Sequence, residues 1–373
     1  MPFARFDRRR LRFQALKTRR NRVFIEKDHI SPTTQPGPLD PDTLAAIEEL
    51  ARVVRQARSG KRPVVLAFGA HTIKNGLAPV LISLIEAGWL THLATNGAGI
   101  IHDWEFAFQG ASSEDVRANM RLGSFGIWEE TGRWLNLALL VGAYEGLGYG
   151  EAVGSLVEND GLQIPQRDEL IGAAGQAGAD PERAAAAADL LWAVDAFDLR
   201  PGFLTVKHPF KRFGLQAAAF RLKVPFTAHP MFGHDIIYTH PLNRGAAVGR
   251  TAERDFLTFA SAIADLEGGV YISLGSAVMS PMIFEKSLSM ARNLAEQERR
   301  NIENFSIVVV DLAESGWDWQ KEGEPPPDNP AYYVRYLKTF SRMGGTLRYL
   351  QADNRDFLLA LCRSLGGWPG SGG

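Results

Sequence analysis

The chain has 373 residues, of which 45% are hydrophobic and 22% charged, with a net charge of −1. These values are ordinary for a folded domain and exclude a disordered or collagen-like chain. No apolar run reaches the roughly 18 residues that a membrane-spanning helix needs, no short apolar stretch follows a basic start as in a secretory leader, and a single cysteine, Cys362, excludes an intrachain disulfide and a cysteine-rich zinc site.

The charge is unevenly spread. Residues 1–22 carry nine Arg or Lys against Asp7 alone, which makes this segment +8 and leaves −9 for the rest. A basic arm of this kind grips phosphates or packs on an acidic body. Phe3, Phe6, Leu11, Phe13 and Leu16 interleave its charges, which suits packing, on its own body or on a neighbouring subunit, as well as it suits nucleic acid; packing is the expected role. The −9 body beside this arm predicts docking on a neighbouring subunit. Residues 31–41 hold four prolines and a glycine and read as a linker.

From Asp42, read as an N-cap, apolar residues recur at helical spacing through Val54. Residues 63–68 form a short apolar run ending in Gly69, the pattern of a buried parallel strand. A helix over 75–87 and a strand over 91–95 complete a βαβ unit, for which a right-handed crossover is expected. Residues 123–199 read as a mainly helical insertion. Further strands are predicted at 202–206, 224–227, 270–274, 306–310 and 346–350, with helices at 253–266 and 281–298 among them. The alternation predicts an α/β fold, a doubly wound, mostly parallel Rossmann-like sheet with helices on both faces. The expected organisation is an arm and linker over 1–41, one α/β domain over 42–365, and a flexible tail over 366–373.

In open α/β sheets, ligands bind beyond the carboxyl ends of the strands. Those positions hold His71 after the first strand and Thr95, Asn96, Gly97, His102 and Asp103 around the second. His229, His234 and Asp235 follow the strand at 224–227, and Gly275 and Ser276 follow 270–274. Asp311 and Glu314 follow 306–310, and Ala352 and Asp353 come last. Glycines there let backbone N–H groups approach a phosphate. No P-loop, HExxH or GxSxG is present, and no GxGxxG lies in a strand–turn–helix context. Convergent imidazoles beside a carboxylate suit general acid–base work or a divalent metal, or simply line a nucleotide site. Trp317 and Trp319 flank Asp318 and are placed to stack on a ligand.

These segments resemble deoxyhypusine synthase in order and spacing over about residues 60–362. Gly69-Ala-His-Thr-Ile-Lys-Asn-Gly76 is similar to the family's first loop, Thr95-Asn-Gly-Ala-Gly-Ile-Ile-His-Asp103 to its TTAGGVEED stretch, and PFTAHPMFGHDII (225–237) to its loop with two aspartates. GVYISLGSAV (269–278) resembles its GMIILGGGV turn, and Gln351-Ala-Asp-Asn354 its YADA turn. The resemblance implies a Rossmann-like sheet, NAD near a subunit interface, and a homotetramer. NAD is thereby expected at His71, Thr95, Asn96, Gly97, Gly275, Ser276, Asp311, Ala352 and Asp353. The family oxidises spermidine with NAD and holds the aminobutyl group as an imine on a lysine.

The departures concern that lysine and the polyamine site. Direct spacing puts Tyr336 where the lysine belongs, with Lys338 two positions on. The family's K-H-H reads Ser280-Pro281-Met282, its acidic pair reads Ile101-His102, and an aspartate is lost near Pro230. The expectation is therefore a cytoplasmic, NAD-dependent enzyme for an amine or polyamine-like small molecule, diverged from authentic deoxyhypusine synthesis. His102, His234, Asp235 and Lys338 are its candidate catalytic residues, and His229, Glu314, Trp317 and Asp318 its substrate contacts. A metal-assisted hydrolase or lyase and a non-catalytic nucleotide-binding protein are the rivals.

Overall fold

In the computed structural model, residues 3–366 are described, so the tail expected from residue 366 lies almost wholly outside the described residues. Six strands form one parallel sheet: β1 (Val64–Phe68), β2 (His92–Thr95), β3 (Phe226–Ala228), β4 (Val270–Leu274), β5 (Ser306–Asp311) and β6 (Thr346–Gln351). Their spatial order is β3-β2-β1-β4-β5-β6, the 3-2-1-4-5-6 order of dinucleotide-binding sheets. The register runs Val65↔His92 and Val65↔Tyr271 on the two sides of β1. The order reverses between β1 and β4, and that reversal is the topological switch point.

Ten helices are used below: α1 (Pro41–Ser59), α2 (Ala78–Glu86), α3 (Gly97–Gln109), α4 (Glu129–Glu145), α5 (Tyr149–Glu158), α6 (Leu215–Leu222), α7 (Gly245–Ala264), α8 (Met279–Gln297), α9 (Arg335–Ser341) and α10 (Asn354–Ser364). Successive strand side chains point to opposite faces, and β1 shows both. Val64, Leu66 and Phe68 pack with Ile47 and Leu50 of α1, Leu81 of α2 and Phe357 of α10. Val65 and Ala67 pack with Phe259 of α7, Phe284 of α8 and Phe340 of α9. A strand buried on both faces is a continuous apolar run, which is why VVLAF was legible.

The strand at 202–206 is the exception. Gly202–Thr205 lies outside the main sheet, in an antiparallel ribbon with Gly161–Ile164. Its alternating exposure, with Phe203 57% exposed, shows a half-solvated ribbon rather than a sheet core. Helix α1 starts at Pro41, and Asp40 rather than Asp42 caps it, accepting the Thr43 N–H at 2.9 Å. The helix expected over 75–87 is shorter, running as α2 from Ala78 to Glu86, and a separate helical turn, Ala70–Lys74, precedes it.

The basic arm packs on its own chain. Leu16 and Ile25 are fully buried, Asn21–Phe24 pairs antiparallel with Ala111–Glu114, and Phe13 meets His240 edge-on at 4.8 Å. Arg8 donates to the Tyr238 carbonyl at 2.9 Å and to Asn243 Oδ1 at 3.1 Å. These contacts dock the arm on its own chain, where the Leu16 N–H also donates to Glu130 of α4 at 2.5 Å. Among the described residues, no helix is long and apolar enough to cross a membrane.

Candidate functional site

The site is built on the loops that leave the carboxyl ends of the strands. At the switch point the β1 and β4 loops cross so closely that a Cβ on Gly69 would stand 2.1 Å from the Gly275 carbonyl oxygen. Gly275 itself turns with φ +55°, and a Cβ there would meet the Asn354 side chain at 2.7 Å. Asn354 also reaches Thr72 Oγ1 at 3.3 Å. The first residues of Ala70–Lys74, α3, α8 and α10 all gather beyond these strands. Asn96 caps α3 by accepting the Gly99 N–H at 3.0 Å, Ser276 accepts the Ser280 N–H at 3.2 Å, and Asp353 accepts the Arg355 N–H at 2.8 Å. Gly275 and Asp353 are exposed, and the surface is an open shelf.

A dinucleotide fits this shelf by the chemistry of its donors. Helix N-termini and a glycine turn offer N–H groups of the kind that hold a pyrophosphate, and the Asp353 and Asp311 carboxylates stand at the same strand ends. Thr95 is different: its buried hydroxyl donates to the Phe68 carbonyl at 2.9 Å and ties β2 to β1. His71 is exposed and Ala352 buried, its N–H donating to the Asp311 carbonyl at 3.0 Å.

Beside the shelf, beyond β2 and β3, lies a cavity of about 220 Å³ lined by Lys74, His102, Glu105, Glu114, His234 and Asp235, with Arg19 closing it from the arm. The fold thus brings His102, His234 and Asp235 together. His102 Nδ1 is 2.7 Å from Ser112 Oγ, which lies 2.5 Å from Glu105 Oε2. Arg19 grips Glu105 with both terminal nitrogens, at 2.8 and 2.6 Å, with both side chains nearly inaccessible. Burial pushes the Glu105 carboxyl up, but the charge and hydrogen bonds of Arg19 outweigh it and hold the carboxyl below its usual range. Burial lowers the His102 pKa, against the opposing charge of Glu105.

Asp235 has a different environment. Its carboxylate lies against Gly97, where a Cβ would stand 2.1 Å from Oδ2. That buried Oδ2 has no hydrogen-bond partner, and burial pushes the carboxyl up to about 7. The hydroxyls of Tyr149 and Tyr238 are likewise buried without partners. Both phenols are raised chiefly by burial and further by the charge of Asp235. Of these three residues only Asp235 lines the cavity, and its orphaned oxygen calls for an explanation, since buried polar groups are otherwise nearly always paired.

Several sequence-predicted residues are not part of this cavity. His229 is buried in the core, its Nε2 3.0 Å from Thr227 Oγ1, and Thr227 is in turn 3.1 Å from His92 Nε2. Burial takes both rings to about 3, so they stay neutral. Asp103 turns away from His102 and caps α6, accepting the Leu215 and Gln216 N–H groups at 2.9 Å each. Lys338, on α9, stands 3.3 Å from the Tyr332 ring centroid, and Tyr336 packs on the core of the opposite sheet half. Glu314 is exposed, Trp317 donates to the Gly323 carbonyl at 2.9 Å, and Asp318 pairs with Lys321 at 3.1 Å; these three stay in the loop after β5. Among the described residues, no three His, Cys, Asp or Glu side chains stand together as metal ligands.

The residues that sequence reasoning missed are Arg19, Glu105, Ser112, Tyr149 and Tyr238. Only Glu105 had a local signal, since it follows His102 by three positions on one helix face.

No protein-family model matches the chain, and no curated protein does. Solved structures with some likeness include apo ArgZ, an arginine dihydrolase from the ornithine–ammonia cycle in cyanobacteria (TM-score 0.40, 15% identity, 86% of this chain and 32% of that one). Another is AgrE in ternary complex with ornithine and NAD+ (TM-score 0.42, 14% identity, 88% and 34%). A third is a conserved LOR/SDH protein from Methanococcus maripaludis S2 (TM-score 0.42, 14% identity, 90% and 73%). The chain thus spans about a third of the length of ArgZ and AgrE. Likenesses this distant carry no argument about chemistry, and no family model supports the resemblance of the sequence motifs to deoxyhypusine synthase.

Proposed function

We propose that the protein is an NAD-dependent enzyme acting on a small molecule that bears a primary ammonium group. The observation that carries this reading is Asp235, a buried carboxylate with an unpartnered oxygen and no cation of its own. An unpaired buried charge is costly, so the group is either neutral or awaiting a cation. A primary ammonium supplies N–H donors, and Asp235 Oδ2 is an acceptor without a partner on a residue that lines the cavity.

NAD, when bound, supplies a hydride acceptor. Asn96, Gly97, Gly275, Ser276 and Asp353 would hold it on the shelf beside the cavity. Asp235 orients the amine, and His102, neutral at neutral pH, takes a proton from the substrate. The adjacency of an anion-binding shelf at the switch point and a carboxylate-lined cavity supports a redox step on the amine-bearing carbon over simple nucleotide sensing.

The test is to follow NADH formation with a panel of diamines and basic amino acids against their N,N-dimethyl analogues. Turnover confined to primary amines supports the reading. Equal turnover of the dimethyl analogues, or none with any amine, overturns it.

A further inference from the structure

We propose that Arg19, carried by the basic arm, is a positioning residue that fixes the tautomer of His102 and leaves its Nε2 as the free base facing the cavity. The proposal rests on the reading of this cavity as the reaction site.

A guanidinium only donates, so both Glu105 oxygens accept from Arg19. The Thr131 hydroxyl adds a third donor, to Oε1 at 3.0 Å. An ionised carboxylate has no proton to give. Ser112 Oγ, 2.5 Å from Glu105 Oε2, therefore commits its single proton to Glu105. Towards its other neighbour Ser112 can only accept. That neighbour is His102 Nδ1 at 2.7 Å, which must carry the N–H. A neutral imidazole has one N–H, so Nε2 keeps its lone pair, on a ring that lines the cavity.

Arg19 is itself held in place. Its Nε donates to Asn21 Oδ1 at 2.8 Å, and its guanidinium lies 5.6 Å from the Trp128 ring centroid. Residues 19 and 105 are far apart in sequence, and the pairing exists only because the arm folds back across α3 and α4. The arm thus sets the protonation pattern of a group it does not touch. The charged and titratable groups whose fields reach His102 are Glu105, Lys74, Arg19 and His71.

Nitrogen NMR of the full chain with labelled histidine reads the two ring nitrogens directly and without substrate, His102→Gln supplying the assignment. The Nδ1–H form should exceed the other by about tenfold, the preference expected for a hydrogen-bond chain ending on a charge. In Glu105→Gln the amide donates to Ser112, the hydroxyl turns to His102, and Nε2–H should become the major form. In Ser112→Ala the preference should fall to within about threefold. Arg19→Lys, which keeps the charge without the fork, should retain the wild-type tautomer at reduced excess, whereas Arg19→Gln should lose it. A mainly Nε2–H His102 in the unmodified protein, or a tautomer unmoved by both Glu105→Gln and Ser112→Ala, overturns the proposal. The expected tautomer pattern with no amine turnover would sink only the functional reading and leave the relay standing.

Discussion

Replacing Asp235 by Asn should stabilise the folded protein at alkaline pH while removing its activity. Burial raises the Asp235 carboxyl from 3.8 to about 7, so the folded state favours the protonated form. A group raised on folding contributes most below its unfolded pKa, and that contribution is lost as pH rises towards the folded value. Linkage over this interval makes ionised Asp235 cost about 2–3 kcal/mol more at pH 8 than at pH 5. Asn copies the shape of the neutral acid and carries no such cost. Urea unfolding of both proteins at pH 5, 6, 7 and 8 reads the difference, and other titrating groups cancel when variant and parent are compared at one pH. With a slope of about 3 kcal/mol per molar or more for a chain of this size, the midpoint gap should widen by roughly half a molar to one molar urea across the series. A gap that stays constant with pH would falsify the picture of an unpaired buried carboxylate.

Removing Arg19 alone leaves Glu105 as an uncompensated buried charge. Arg19→Met should cost about 3–5 kcal/mol in denaturant melts, and the double variant Arg19→Met/Glu105→Gln should recover most of it; a double variant no better than the single one would contradict the pairing. Gly97→Ala places a methyl on the Asp235 carboxylate and should lower kcat/KM about 100-fold or more by displacing it, with the helical circular dichroism unchanged. Because Asp235 must be ionised to hold the ammonium and burial raises it to about 7, kcat/KM should rise with pH on an acidic limb with a midpoint near 7 that is lost in Asp235→Asn, while the further limb from His102, lowered by burial, should vanish in His102→Gln. Gly69→Val should abolish dinucleotide binding by forcing the β1 and β4 loops apart.

The sheet was legible because its strands are short aliphatic runs bounded by glycine, and five of the six parallel strands lie within a residue or so of their predicted limits. Val224 and Pro225 misled at β3, which starts at Phe226. The GFLT run at 202–205 has the composition of a strand but not of a core one, and composition alone does not tell a ribbon from a sheet. The order of the strands was not readable, since it depends on how α7 carries the chain from β3 across to β4.

The candidate site was half legible. His102, His234 and Asp235 meet in one cavity because the ends of β2 and β3 are neighbours. Asp103 failed for a local reason: one residue on a helix turns a side chain by about 100°, which points it at α6 instead. His229 failed by the period of two, which aligns it with Thr227 and the His92 side of β3. Arg19 was unreadable, because nothing in a basic arm says which of its nine cations will be buried against a glutamate 86 positions away.

On the proposed reading, the switch-point shelf and the Asp235 cavity form one site for NAD and a primary amine. Calorimetric titration of NAD+ with and without a saturating diamine reads both halves of this site at once. The account predicts NAD+ binding below millimolar concentration, strengthened by the diamine, with the strengthening lost in Asp235→Asn and the NAD+ binding alone retained. No heat of NAD+ binding up to millimolar concentration, or a diamine effect that survives Asp235→Asn, would contradict it.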